Sequence, residues 1–169
     1  SEYIYAFCKN DDLNKYICLS NVHMCMEAFD SSAFRVIVNN ADLVLADGRP
    51  LFWILRLMGY RNIEQIRGLD LTYKICDLAK NKDIPIGFYG SDKKTLSVVI
   101  EKVREQFDGI KINYQKSPPF RKLLEKEKTA IQKEINNSGV KILFVGLGCP
   151  KQEKWMAENV SQINCVMIG

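Results

Sequence analysis

The stretch VKILFVGLGCPKQEKWMAEN, residues 140–159, decides the fold. Its first six residues are apolar apart from Lys141, a run of strand length whose continuous hydrophobicity suits burial on both faces. Gly146-Leu147-Gly148-Cys149 then forms a tight loop, and Pro150 suits the first turn of a helix running to residue 159. Strand, glycine loop and helix in that order make the repeating unit of a parallel sheet covered by helices.

Working outward, the same alternation recurs. Strands are expected at 16–20, 43–46, 84–89, 110–114 and 165–168. Helices are expected near 22–29, after the Asp30-Ser31-Ser32 cap, from Pro50 through 58, and at 68–78, 94–107 and 122–136. The run at 3–7 reads as the tail of a helix, and Pro118-Pro119 as a loop. This pattern predicts an α/β fold with a mainly parallel sheet and helices on both faces. With 169 residues, 47% hydrophobic and 26% charged, the chain has the composition of a single domain with a sizeable core.

Composition also excludes several function classes. The 24 Lys and Arg against 20 Asp and Glu give a formal +4, far from a nucleic-acid-binding composition. No apolar run is long enough to span a bilayer, and no signal segment opens the chain. The six cysteines show no Cys-x-x-Cys or Cys/His spacing, so no metal site is expected, and they read as buried, reduced thiols of a cytosolic protein. His23, the one histidine, reads more readily as a packing residue than as a catalyst.

In an open parallel sheet, ligands bind beyond the carboxyl ends of the strands. Four loops belong at that edge: Ser20-Asn21, Asp47-Gly48, Gly90-Ser91 and Gly146-Leu147-Gly148. The last, with the helix start at Pro150, presents backbone N–H groups suited to a diphosphate or a sugar hydroxyl, although a plain tight turn fits as well. Lys151-Gln152-Glu153 adds three hydrogen-bonding side chains on that helix's first turn. Asp47 follows four apolar residues and precedes a glycine, which places its carboxylate at the mouth of the sheet. Partial desolvation there would make it a better proton acceptor, and capping of the Pro50 helix is the competing role. Arg67 and Asp70 flank a loop-to-helix junction, either as a phosphate-binding arginine with its orienting acid or as a surface ion pair. A nicotinamide-dependent oxidoreductase would need a third glycine and an acidic residue after the next strand, and the sequence has neither.

Taken in order, Asn21-Val22-His23-Met24, residues 40–48 ending in Ala46-Asp47-Gly48, Arg67-Gly68-Leu69-Asp70-Leu71, Phe88-Tyr89-Gly90-Ser91, Ser117-Pro118-Pro119-Phe120 and residues 145–155 resemble the WecG/TagA/CpsF family of bacterial glycosyltransferases. The resemblance covers residues 16–169. It implies a Rossmann-like catalytic domain, 1–169, that moves a hexose from a UDP-sugar to a polyprenyl-diphosphate-linked sugar by an inverting, metal-independent reaction. Such enzymes build exopolysaccharide, capsule or teichoic acid of the bacterial cell envelope, as peripheral proteins on the cytoplasmic face of the plasma membrane. The family's aspartate base falls on Asp47 and its substrate-binding glutamine on Gln152.

Two departures stand out. Where the family has threonine, this chain has Leu19, with Ser20 as the neighbouring candidate for the hydroxyl. The family also continues past Gly169 through an arginine-bearing segment that completes the site and engages the membrane, so the resemblance implies that C-terminal residues are lacking. A non-catalytic, sugar-nucleotide-binding member of a polysaccharide assembly complex is the alternative. A homo-oligomer is compatible with the sequence, and the sugar and acceptor are not readable from it.

Overall fold

The computed structural model describes residues 2–61, 63 and 66–169. In chain order the elements are α1 (Glu2–Lys9), β1 (Lys15–Ser20), α2 (Val22–Asp30), α3 (Ser32–Asn39), β2 (Leu43–Ala46), α4 (Arg49–Leu57) and α5 (Gly68–Asn81). They continue with β3 (Ile86–Gly90), α6 (Lys93–Gln106), β4 (Ile112–Lys116), α7 (Glu125–Asn137), β5 (Ile142–Gly146), α8 (Lys151–Asn159) and β6 (Val166–Ile168). The strands form one sheet, ordered β2-β1-β6-β5-β3-β4, and every pairing is parallel. The expected Rossmann-like α/β architecture is the one observed.

Local chemistry explains most boundaries. Asn21, Ser31 and Asp92 cap α2, α3 and α6 by accepting from the N–H groups of Met24, Phe34 and Thr95. Pro50 occupies the first turn of α4, where its missing N–H costs nothing. The run at 3–7 lies within α1, in keeping with its helical reading.

Two apolar layers cover the sheet. Ile4 of α1, Leu71 and Ile75 of α5, and Ile100 and Val103 of α6 pack against Ile17, Ile86, Ile142 and Ile168. On the opposite face Met24 of α2, Phe34 of α3, Ile131 and Ile135 of α7, and Met156 of α8 pack against Cys18, Tyr89, Leu143 and Met167. Successive strand residues serve opposite layers, so a strand covered on both sides must be apolar throughout. The interior strand β3, buried at all five positions, shows this, whereas the edge strand β4 alternates. Cys18, Cys76 and Cys165 are buried thiols, but Cys25 is exposed, since it lies on the solvent side of α2. No helix among the described residues is long and apolar enough to cross a membrane.

The chain leaves β3 toward β4 through α6 on one face, and leaves β5 toward β6 through α8 on the other. Between β3 and β5 the winding therefore reverses, and the loops after them part to leave a crevice. Gly90 and Gly146 meet there, with Ser91 N–H donating to the Gly146 carbonyl at 2.8 Å. Gly90 has φ +128°, and a Cβ on it would stand 2.3 Å from the Gly146 oxygen. Gly90→Ala should therefore cost at least about 2 kcal/mol of stability in urea denaturation. Gly139→Ala, which also has positive φ but nothing within 4 Å of an added Cβ, should cost only about 1 kcal/mol.

Candidate functional site

All four predicted loops lie at the carboxyl edge of the sheet, after β1, β2, β3 and β5. The Asp47 backbone N–H donates to Ser20 O at 2.7 Å, extending the pairing of β1 with β2. Asp47 also bridges to Ile66, whose carbonyl accepts from Gly48 N–H at 3.0 Å. These contacts hold Gly48, at φ +87°, in the turn into α4. The half-buried Asp47 side chain then reaches forward. Its Oδ1 accepts from the Gly68 N–H at 3.0 Å, on the first residue of α5.

That contact changes the expected competition for Asp47. The carboxylate does not cap the Pro50 helix, since Gly48 is the N-cap of α4 and no side chain caps it, and it binds the N-terminus of α5 instead. A helix N-terminus offers unpaired N–H groups and a partial positive charge, so a carboxylate is well placed there. Asp70, expected to orient Arg67 or to pair with it, is exposed on the first turn of α5, and no ion pair within 4 Å joins the two among the described residues. Arg67 is exposed at the N-cap position of α5, next to the Asp47 anchor.

Two cavities open along this edge and share Tyr89, Ser91 and Gly146 at the winding reversal. The smaller, about 250 Å³, lies between α5 and α6 above Leu19, Gly68 and Gly169. Gly68 connects it to Asp47. The larger, about 690 Å³, lies between α7 and α8 under the loop of Pro118 and Phe120. Its floor is Trp155 stacked on Tyr89 at 4.5 Å, and Lys122, Lys151 and Lys154 stand around it. The overhanging loop is pinned at both ends. Ser117 Oγ donates to Ser91 O at 2.7 Å, and Arg121 grips Glu127 with two N–H groups, holding that carboxyl down at about 2.

The glycine loop is more occupied than an open anion cradle would be. Gly148 N–H donates to Gln152 Oε1 at 3.1 Å, which leaves the Gln152 amide nitrogen as the donor at this corner. Gly146 is exposed, Leu147 half-buried against the core, and Pro150 is the N-cap of α8. Lys151 lines the larger cavity. Glu153 does not join Lys151 and Gln152 at the ligand-facing edge. It is fully buried, and neither carboxylate oxygen has a hydrogen-bond partner among the described residues. On a helix, adjacent positions lie about 100° apart, so the third side chain of the trio turns into the core. Burial first, and the Glu153 charge second, push the Cys149 thiol up to about 12, which leaves it a poor nucleophile at neutral pH.

Leu19 and Ser20 face opposite sides of the sheet. Leu19 lines the smaller cavity and lies under Gly68, whereas Ser20 is buried with its Oγ 3.7 Å from Cys25 Sγ. A hydroxyl on Ser20 therefore does not stand where the side chain of residue 19 points. Asn21 spends its side-chain oxygen on the Met24 N–H at 3.0 Å and keeps its amide as a donor. His23 is neither packed nor near the cavities. It is exposed on α2, 3.9 Å from Glu27. Sequence pattern alone did not mark Gly68 or the Tyr89–Trp155 stack. All three residues stand within the quoted motifs without an assigned role, and the spacing of Lys151, Trp155 and Glu158 along one helical face is a further cue to the stack.

The description "Glycosyl transferase WecG/TagA/CpsF family" matches residues 1–169. The chain belongs to this family. Its curated relatives include an N-acetylglucosaminyldiphosphoundecaprenol N-acetyl-beta-D-mannosaminyltransferase of Bacillus spizizenii, 29% identical over 144 residues, covering 84% of this chain and 54% of the relative. Proteins of the same name from Bacillus subtilis and Staphylococcus aureus are 23% and 21% identical, covering 92% and 99% of this chain and 59% and 65% of theirs. The chain thus spans between half and two-thirds of the length of these WecG/TagA/CpsF relatives.

Glu153 is the least comfortable side chain in the site region. A buried carboxylate without partners costs stability that an apolar side chain of similar length would not. Glu153→Met should raise stability by about 1–3 kcal/mol, read as a higher urea midpoint with unchanged slope. A lower midpoint would show that the carboxylate is satisfied in solution.

Proposed function

We propose that this chain is the catalytic domain of an inverting, metal-independent glycosyltransferase. It takes a hexose from a UDP-sugar and passes it to a sugar carried on a polyprenyl diphosphate, in the synthesis of a cell-surface polysaccharide. The observation that carries this reading is the Asp47 carboxylate. It is held at the carboxyl edge of the sheet by Gly68, which lines the smaller of the two cavities that open there, in a chain of this family. The names of the relatives support a sugar acceptor linked through a diphosphate to undecaprenol. A lipid-linked acceptor fits a protein working at the inner face of the plasma membrane.

In the proposed reaction Asp47 takes the proton of the acceptor hydroxyl as its oxygen attacks the anomeric carbon. The bond from that carbon to the diphosphate breaks, its electrons leave with UDP, and the configuration inverts. The growing charge on the diphosphate is met by the Gln152 amide and by Arg67 and Lys151. In this reading the nucleotide lies toward the Tyr89–Trp155 floor, where an aromatic face can stack on the base, and the sugar toward Asp47.

Asp47→Asn keeps an oxygen able to accept from Gly68 but removes the proton acceptor. In the full-length protein it should lower kcat at least about a hundredfold while the Kd for UDP changes less than about threefold. Near-normal turnover would overturn the assignment of the base. UDP binding without turnover in the unsubstituted full-length protein would favour the non-catalytic alternative.

A further inference from the structure

Helix α4 has no buried residue, although its sequence RPLFWILRL is apolar around most of its circumference. Its inner side, Leu51, Phe52 and Leu55, is half-buried against the protein. Its outer side carries Trp53, Ile54, Leu57 and Met58, with Leu57 88% and Met58 68% exposed. These four recur at 53, 54, 57 and 58 and so form one stripe along the helix. A helix apolar on both sides is normally covered on both, and an exposed stripe of this kind marks a contact surface.

The charges beside the stripe select its partner. Residues 49–61 contain Arg49, Arg56 and Arg61 and no acidic residue. Arg56 lies over the Phe52 ring at 5.6 Å, and Tyr60, 57% exposed, follows the helix. Apolar side chains flanked by arginines, with a Trp and a Tyr among them, suit a helix lying in the interface of an anionic bilayer. A protein partner would have to supply both an apolar groove and an acidic rim, whereas an anionic lipid surface supplies both as its ordinary composition.

Position in the fold points the same way. Only Gly48 separates Asp47 from α4. At the same edge Val22 opens α2 and Leu69 lies on the first turn of α5, and both are exposed. We infer that α4 docks this protein onto an anionic phospholipid surface through Trp53, Ile54, Leu57 and Met58, with Arg49, Arg56 and Arg61 at the headgroups, so that Asp47 sits at the membrane. The choice of a bilayer gains from the lipid-linked acceptor proposed above and rests on that reading to that extent, while the helix chemistry stands without it.

The test uses co-sedimentation with vesicles of phosphatidylcholine, alone or mixed with phosphatidylglycerol. Each arginine near an anionic surface contributes roughly a fivefold increase in affinity, so mixed vesicles should bind on the order of a hundredfold more tightly, with the difference shrinking in salt. Leu57→Gln with Met58→Gln should weaken binding at least about tenfold. Arg56→Gln with Arg61→Gln should remove most of the preference for phosphatidylglycerol. A second readout leaves α4 intact. Trp155→Phe makes Trp53 the only tryptophan of the two in the chain, and its emission should shift to the blue on mixed vesicles and be quenched by brominated lipid. Asp47→Asn should bind vesicles like the unsubstituted protein, so loss of transfer and loss of docking are read separately. Absence of vesicle binding, binding unaffected by Leu57→Gln with Met58→Gln, or self-association abolished by that pair would each overturn the proposal, the last by assigning the face to a second copy of the chain.

Discussion

Gly90 and Gly146 run past each other with no room for a side chain between them, at the point where the chain stops winding one way and starts winding the other. Much of the functional edge depends on this approach. Because the two backbones touch, Ser91 can donate to Gly146, and Ser117 can donate in turn to Ser91. The loop that roofs the larger cavity is therefore set from the centre of the sheet. Because the connections leave in opposite directions, neither cavity is closed by a crossing helix.

The second organising contact runs from Asp47 to Gly68. It ties the end of an edge strand to the start of α5, whose Leu71 and Ile75 belong to one of the two core layers. The side chain proposed to do chemistry is thereby fixed by a helix that is itself fixed by packing. A proton acceptor needs this kind of support, since small displacements of a reacting group cost large factors in rate.

Other features run against stability and make sense together. A fully buried carboxylate with no hydrogen-bond partner among the described residues directly follows Gln152, and an arginine-bearing apolar helix lies exposed with only Gly48 between it and Asp47. Strain, unpaired polar groups and uncovered apolar surface concentrate where proteins act rather than where they merely hold together. By contrast, the layers built on Ile17, Ile86, Leu143 and Met167 are apolar and tightly covered.

Nearly every element was legible from sequence, because period and capping are contacts between near neighbours. The Ser31 and Asp92 caps bond three residues ahead, and Pro50 acts on its own turn. The ordered motifs also placed the chain in its family, and the parallel sheet put four loops at one edge. What sequence left open was each choice made by residues far apart in the chain. Asp47 reads equally as a cap for the helix beside it, and only folding brings Gly68, 21 residues on, to its carboxylate. Glu153 reads as one of three ligand-facing side chains on the first turn of its helix, and only the packing of α8 against β1 and β5 turns it inward. Ser20 reads as a stand-in for its neighbour until strand pairing assigns the two to opposite layers. Sequence thus determined the elements, the class of fold and the family through local interactions. The tertiary structure alone decided partners, faces and burial, because these depend on surfaces that meet only once the sheet is assembled.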